Sequence, residues 1–159
     1  MRIYTRVQIY GAEKAENTLK DIKDRTGNFR PVLRWAQRKL ERDFSENFNT
    51  FGSLSAKAML KGGWPPLDLS YGAWKATRYP GAPIMVQTGE TLFRVTHPDV
   101  DMSDNKVTIS VPGKIAKFHQ FGTTNMPARP LLFVPRDFDR EFGKKLVQYV
   151  IKGKKAGVA

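Results

Sequence analysis

Apolar side chains recur at three- and four-residue intervals from Val32 to Phe51, and this pattern constrains the fold more than any other feature of the chain. Val32, Leu33, Ala36, Leu40, Phe44, Phe48 and Phe51 share one side of a helix of about five turns. Pro31 suits the first turn, where an N–H would have no partner in any case, and Gly52 ends the run. A stripe this wide and aromatic has to be covered by other elements. Residues 2–10 alternate in period two, with Ile3, Thr5, Val7 and Ile9 on one face, which predicts a half-buried strand closed by Gly11. A helix is expected from Ala12 to Arg25 on the stripe Ala15, Leu19 and Ile22, with Gly27 as its stop. Leu54 to Leu60 adds a short helical piece. A last amphipathic helix from Asp137 to Ile151 would bury Phe138, Phe142, Leu146, Val147 and Val150.

The middle of the chain is punctuated differently. Residues 61–87 hold four glycines, four prolines, Trp64 and Trp74, a composition that forbids regular ladders and predicts a long loop. Such a loop is functional or is ordered by a neighbour. Its tryptophans either cap the chain's own core or anchor an arm on another subunit. Thr88-Gly89-Glu90 starts a short helix, with Leu92 and Phe93 facing in. Asp99, Asp101, Asp104 and Asn105 form a polar turn. Lys106 to Val111 alternates as a strand, and Pro112-Gly113 turns the chain so that Lys114 to Phe121 returns beside it as a hairpin. Residues 122–135, with three prolines, read as a second loop. The expected fold is therefore α+β: a small, mainly antiparallel sheet packed by a long helix in the N-terminal half and a C-terminal helix. Residues 1–151 form one domain and 152–159 a basic flexible tail.

Composition narrows the function. The 159 residues carry 27 Lys and Arg against 15 Asp and Glu, a net charge of +12. Residues 1–61 hold 13 basic and 7 acidic side chains and 106–159 hold 11 and 3, while 62–105 hold 3 and 5. A basic balance of this size either works near a polyanion or an acidic protein face, or is a solvated surface. No run approaches a membrane span, and charges in MRIYTRVQIYG interrupt the apolar stretch a signal peptide needs. With no cysteine, disulfides and zinc–thiolate sites are excluded.

Catalytic patterns are thin. The chain has two histidines, His97 and His119, and no phosphate-cradling GxxxxGK[ST], HExxH or GxSxG motif. The Asp99–Asp104 turn lacks the glycine and distal glutamate of a calcium loop. No catalytic residue, metal or cofactor is therefore expected. Arg34, Arg38 and Arg42 recur every fourth residue on one helical face, and Lys152, Lys154 and Lys155 cluster in the tail. The arginines can follow phosphates without reading sequence, or pair with Glu41, Glu46 or a neighbouring subunit.

Three motifs stand out: GGWPPL at 62–67, QTGETLF at 87–93 and AKFHQFGTTNMPARPLLFVP at 116–135. In this order, between a long helix and a C-terminal helix, they resemble the tailed-phage virion morphogenesis family, which includes tail-completion proteins of Mu-like phages and related neck proteins of siphophages. Gly63, Trp64, Pro66 and Leu67 match its G-W-x-P-L segment, and Thr88, Gly89 and Leu92 its T-G-x-L segment with one residue more. His119, Gln120 and Gly122 match H-Q-x-G at a strand end; Pro127, Ala128, Arg129, Pro130 and Leu131 match P-A-R-P with an apolar residue after it. The N-terminal strand and first helix lie outside the match, and bulky Phe133 stands where the family has a small residue.

The resemblance implies a structural virion protein of the head–tail junction. It would form a ring, hexameric by family expectation, that completes the tail or joins it to the connector and lets double-stranded DNA pass. Its partners would be sister copies, connector or adaptor proteins, and tail-tube or tail-terminator proteins, with no membrane involved. It would reside in the virion neck or tail, and in the host cytoplasm during assembly. On this reading Trp64, Pro66, Trp74, His119, Gln120, Gly122, Pro127, Arg129 and Pro130 belong to subunit contacts made by the loops 61–87 and 122–135. Arg34, Arg38, Arg42, Lys152, Lys154 and Lys155 would face DNA in the lumen or an acidic partner. Arg129 offers a planar fork for a carboxylate or backbone carbonyls, and alternatively closes its own loop. The competing class is a non-sequence-specific nucleic-acid-binding protein.

Overall fold

In the computed structural model, residues 12–59 and 63–153 are described. The expected strand at 2–10, and Lys154 and Lys155, lie outside them. The amphipathic run forms α2 (Arg30–Asn49), which buries Val32, Leu33, Ala36, Phe44, Asn47 and Phe48. Its two halves serve two clusters. Near its start, Val32 packs with Tyr149, Phe142, Leu146 and Val150 of α7 (Phe138–Lys152), beside Trp35 of α2 itself and Phe29. Toward its end, Phe44 and Phe48 join Trp64, Val95, Leu131 and Phe133. Phe44 meets Phe133 edge-on at 5.7 Å between ring centroids, and Phe48 meets Trp64 edge-on at 5.2 Å. Burying one such aromatic contributes roughly 1.5–3 kcal/mol. The bulky residue at 133 thus has its partner within the chain.

Helix α1 (Ala12–Thr26) lies along α7, and Arg25 donates to the Val150 and Ile151 carbonyls at 3.0 and 3.2 Å. This puts a cation at the electronegative end of α7. The expected stripe of α1 is poorly covered, since Leu19 remains 66% exposed. Tyr149 Oη donates to the Asn28 carbonyl at 3.0 Å, and Lys39 of α2 pairs with Glu141 of α7 at 3.3 Å. Val147, expected inside, is exposed; Tyr149 is the fully packed residue of α7.

Gly52 turns the chain from α2 into α3 (Ser53–Met59). Phe51, expected to extend the buried stripe, has φ 50° and is exposed, because α2 has already ended and the backbone is reversing. The stretch 61–87, expected as loop throughout, contains α4 (Leu69–Arg78). Asp68 caps it by accepting from the backbone N–H groups of Ser70 and Tyr71, which offsets the weak helix propensity of this glycine-containing segment. Helix α5 (Glu90–Thr96) lies on α2 and buries Val95 fully. Phe93, expected to face in, points out and stacks on His97.

The hairpin pairs differently from the expectation. Strand β1 (Asp99–Met102) runs antiparallel to β2 (Val107–Ser110), with Asp99 opposite Ser110 and Met102 opposite Val107. The aspartate-rich segment is thus a strand and residues 103–106 are the turn, closed by Ser103 N–H donating to the Lys106 carbonyl. Lys114–Phe121 is not the return strand but helix α6. Among the described residues the result is an α+β fold of seven helices and one two-stranded antiparallel sheet.

Candidate functional site

The loop motifs converge on one another. Trp64 is buried, and its Nε1 donates to the Pro130 carbonyl at 3.0 Å. Asn47 Nδ2 donates to the same oxygen at 3.3 Å, while its Oδ1 accepts from the Ser55 N–H. In return, Arg129 reaches the Trp64 segment: Nε donates to the Pro65 carbonyl at 3.0 Å and Nη2 to the Pro66 carbonyl at 2.8 Å. The rigid diproline presents successive carbonyls to a planar fork, a geometry that an ammonium cannot reproduce. Gln120 completes the frame. Its Oε1 accepts from the Leu131 and Leu132 N–H groups, both at 2.9 Å, and its Nε2 donates to the Leu132 carbonyl at 2.9 Å. A side-chain amide here does the work of a neighbouring strand.

Gly122 makes the turn after α6 possible. Its φ of 76° and ψ of 179° belong to a region essentially reserved for glycine. An added Cβ would lie 2.9 Å from both the Ala128 nitrogen and the Met126 oxygen. That close approach brings the loop back so that the Arg129 N–H donates to the His119 carbonyl at 2.7 Å.

Trp64, Gln120 and Arg129 are therefore consumed within the chain. For Trp64 and Arg129 the internal alternative is the one found, and Gln120 spends its amide on the chain's own backbone. His119 and Gln120 sit on a helix, not at a strand end. Pro130 supplies its carbonyl to the frame. Pro66 and Pro127 are exposed, as is Trp74, which stacks on Tyr71 at 5.5 Å. Arg34, Arg38 and Arg42 form an exposed row on α2 and make no ion pair among the described residues. Lys152 is exposed in the last turn of α7.

Beside the frame lies a cavity of about 380 Å³, walled by α4, residues 85–91, α6 and the 125–129 loop. Arg129, Lys75 and His119 line it together with Asp68, Tyr71 and Glu90. Lys75 and Arg129 are each only 4% exposed. Lys75 Nζ donates to the Pro83 carbonyl. Burial pushes the Lys75 ammonium below its usual range, and the Arg129 charge pushes the same way. Burial also lowers Arg129, with Tyr71 opposing. His119 is lowered by burial first and Arg129 second, and its buried Nδ1 has no hydrogen-bond partner among the described residues. Asp68 is held low by the Ser70 hydroxyl and the first N–H groups of α4, and Glu90 pairs with Arg94 at 2.8 Å. Chemically, this is a concave and partly apolar site whose buried charges are cations, Lys75 and Arg129, and whose exposed charges are acids, Asp68 and Glu90.

Lys75, Tyr71 and Asn47 escaped the sequence reading. The first two would have emerged had Asp68 been taken as a helix cap, since Tyr71, Lys75 and Arg78 then fall on one helical face. Nothing in the residue pattern distinguishes Asn47 from its polar neighbours. His97 is remote in character, exposed and stacked on Phe93 at 4.4 Å. Among the described residues no group of three His, Asp or Glu side chains is placed to hold a metal ion, and no helix is long and apolar enough to cross a membrane. Compared with family models, curated proteins and solved structures, the chain finds no match.

Proposed function

We propose that this chain is a structural protein of the tailed-phage head–tail junction, acting by binding and self-association in a ring rather than by turnover. The motif resemblance supplies the identity. The observation that carries the self-association is the outward presentation of large apolar side chains from the helices around the frame. Leu69 is 90% exposed on α4 and Phe121 75% exposed on α6, with Trp74, Ile115 and Phe118 also exposed on the same two helices. Large apolar side chains left open on two helices that wall the same cavity support cover by another protein. The frame of Trp64, Gln120 and Arg129 then serves to fix the display rather than to make the contact.

The test is native mass spectrometry and electron microscopy of the full chain, alone and with connector proteins, beside Leu69→Glu and Phe121→Glu. Closed rings from the wild type, and folded monomers from both variants, are expected. A wild type that stays monomeric with connector present, or variants that assemble normally, would refute the reading.

A second reading, non-sequence-specific binding of duplex DNA, is favoured by Arg34, Arg38 and Arg42, which are exposed and make no ion pair among the described residues. If this row alone tracks phosphates, log K should fall with log salt with a slope of about −3, and replacing all three arginines by glutamine should flatten it. Retention of the slope in that variant removes the row from DNA binding.

A further inference from the structure

We propose that the cavity between α4, α6 and the 125–129 loop is a carboxylate-binding pocket, gripping with Lys75 and Arg129 an acid carried on an apolar body. The proposal stands independently of the head–tail reading. Two cations, each 4% exposed, line one cavity, and no carboxylate pairs with either of them among the described residues. Buried charges are retained where an opposite charge meets them, since desolvation otherwise opposes burial. The cavity's own acids are engaged elsewhere: Asp68 caps α4, and Glu90 pairs with Arg94.

Donors remain on both cations. Arg129 uses Nε–H and one Nη2–H on Pro65 and Pro66, leaving three of its five N–H groups. Lys75 uses one of three on Pro83. His119 stands on the same lining through its ring, while its Nδ1 is buried away from the cavity and has no hydrogen-bond partner among the described residues. Burial and the Arg129 charge both favour its neutral ring, so it does not add a third cation beside the other two.

The rest of the lining selects the body of the ligand. Leu67, Met85, Ile115 and Pro127 give the cavity apolar walls, and about 380 Å³ exceeds what a bare inorganic anion fills. The match is a carboxylate with several carbons behind it. A free organic acid and an acidic side chain of a docking protein segment both provide that chemistry.

Thermal melting of the full chain is followed against hexanoate, hexanol, inorganic phosphate and the capped dipeptide acetyl-Leu-Glu-amide. A ligand specific for the folded state raises the melting temperature with its concentration. Hexanoate should give a saturable rise, hexanol none, and phosphate a weaker one. Lys75→Met keeps the length and apolar stem without the charge, so it should melt no lower than wild type while its hexanoate Kd rises at least about tenfold. Ile115→Glu, at an exposed position on the lining, should also lose hexanoate binding and serves if Lys75→Met does not fold. Tighter binding of the dipeptide supports a protein segment as the source, and tighter binding of hexanoate supports a free acid. An absent or non-saturable hexanoate response, equal responses to hexanol, tighter phosphate binding, or undiminished hexanoate binding by folded Lys75→Met would overturn the proposal.

Discussion

Adding one methyl group at position 52 should do nearly as much damage as removing a tryptophan. Gly52 has φ 80°, and a Cβ there would lie 2.3 Å from Cδ1, 2.4 Å from Cγ and 2.6 Å from Nε1 of Trp64. The left-handed backbone alone costs alanine about 1–2 kcal/mol. The indole must also retreat by more than about 1 Å to restore ordinary carbon contacts. Retreat breaks the Nε1 bond to Pro130 and opens the edge-on contact with Phe48. These are worth about 1 kcal/mol each, before any cost of leaving the indole N–H unmatched. Gly52→Ala should therefore cost about 3–5 kcal/mol, close to the value for truncating a buried tryptophan. Urea unfolding followed by tryptophan fluorescence and far-ultraviolet circular dichroism measures it. The cause is isolated by a double-mutant cycle: in a Trp64→Ala background only the backbone strain remains, so the same glycine change should cost about 1–2 kcal/mol. An undiminished cost in that background, or a single variant within about 1 kcal/mol of wild type, would refute this account of the packing.

Two further outcomes are expected from the frame and the cavity. Gln120→Ala removes three hydrogen bonds to residues 131 and 132 and should lower stability by about 3 kcal/mol; urea midpoints at constant m decide it. His119 has a pKa below 6.5 in the fold, so the fold prefers the neutral ring. Its contribution is fully present above pH 6.5 and falls away as the pH drops from there to the folded-state pKa, because the unfolded chain takes up the proton first. Comparing urea midpoints at about pH 7.5 and about pH 5.5, wild type should lose more stability than His119→Gln.

Periodicity made the helical skeleton legible, and its limits are equally physical. Helix α2 could be read because it packs on one side along nearly its whole length, and α7 because Phe142, Leu146 and Val150 recur at four-residue spacing. Helix α4 was hidden because the proline- and glycine-rich composition around it outweighed a cap that depends on a single residue, Asp68. The strand 107–110 was recognisable, but its partner was not. Asp99 and Asp101 made β1 look like a turn, although Val100 and Met102 keep the alternation of a strand exposed along most of its length. At the site, residues with unusual backbone or side-chain demands announced themselves: Trp64, Gln120, Gly122 and Arg129 all belong to the frame. Where each side chain points was not encoded locally. The direction of the Arg129 fork is set by carbonyls about 64 positions away in sequence, a separation that no local pattern reports.

Because Arg129 holds Pro65 and Pro66 while Trp64 holds Pro130, the polypeptide from Leu67 to Ala128 leaves and re-enters through a single tied throat. A noose of this kind tolerates changes of girth better than changes at the knot. Doubling the length of a flexible loop adds only about 0.6 kcal/mol to its closure entropy. Extra residues grafted at the hairpin tip, 103–106, would leave the knot intact and disturb only the contacts Asp104 makes there with the Phe29 N–H and Arg30. The same graft between Trp64 and Pro66 would separate the two halves of the tie, so natural or engineered variation in reach and surface chemistry has its room at the far end of the loop.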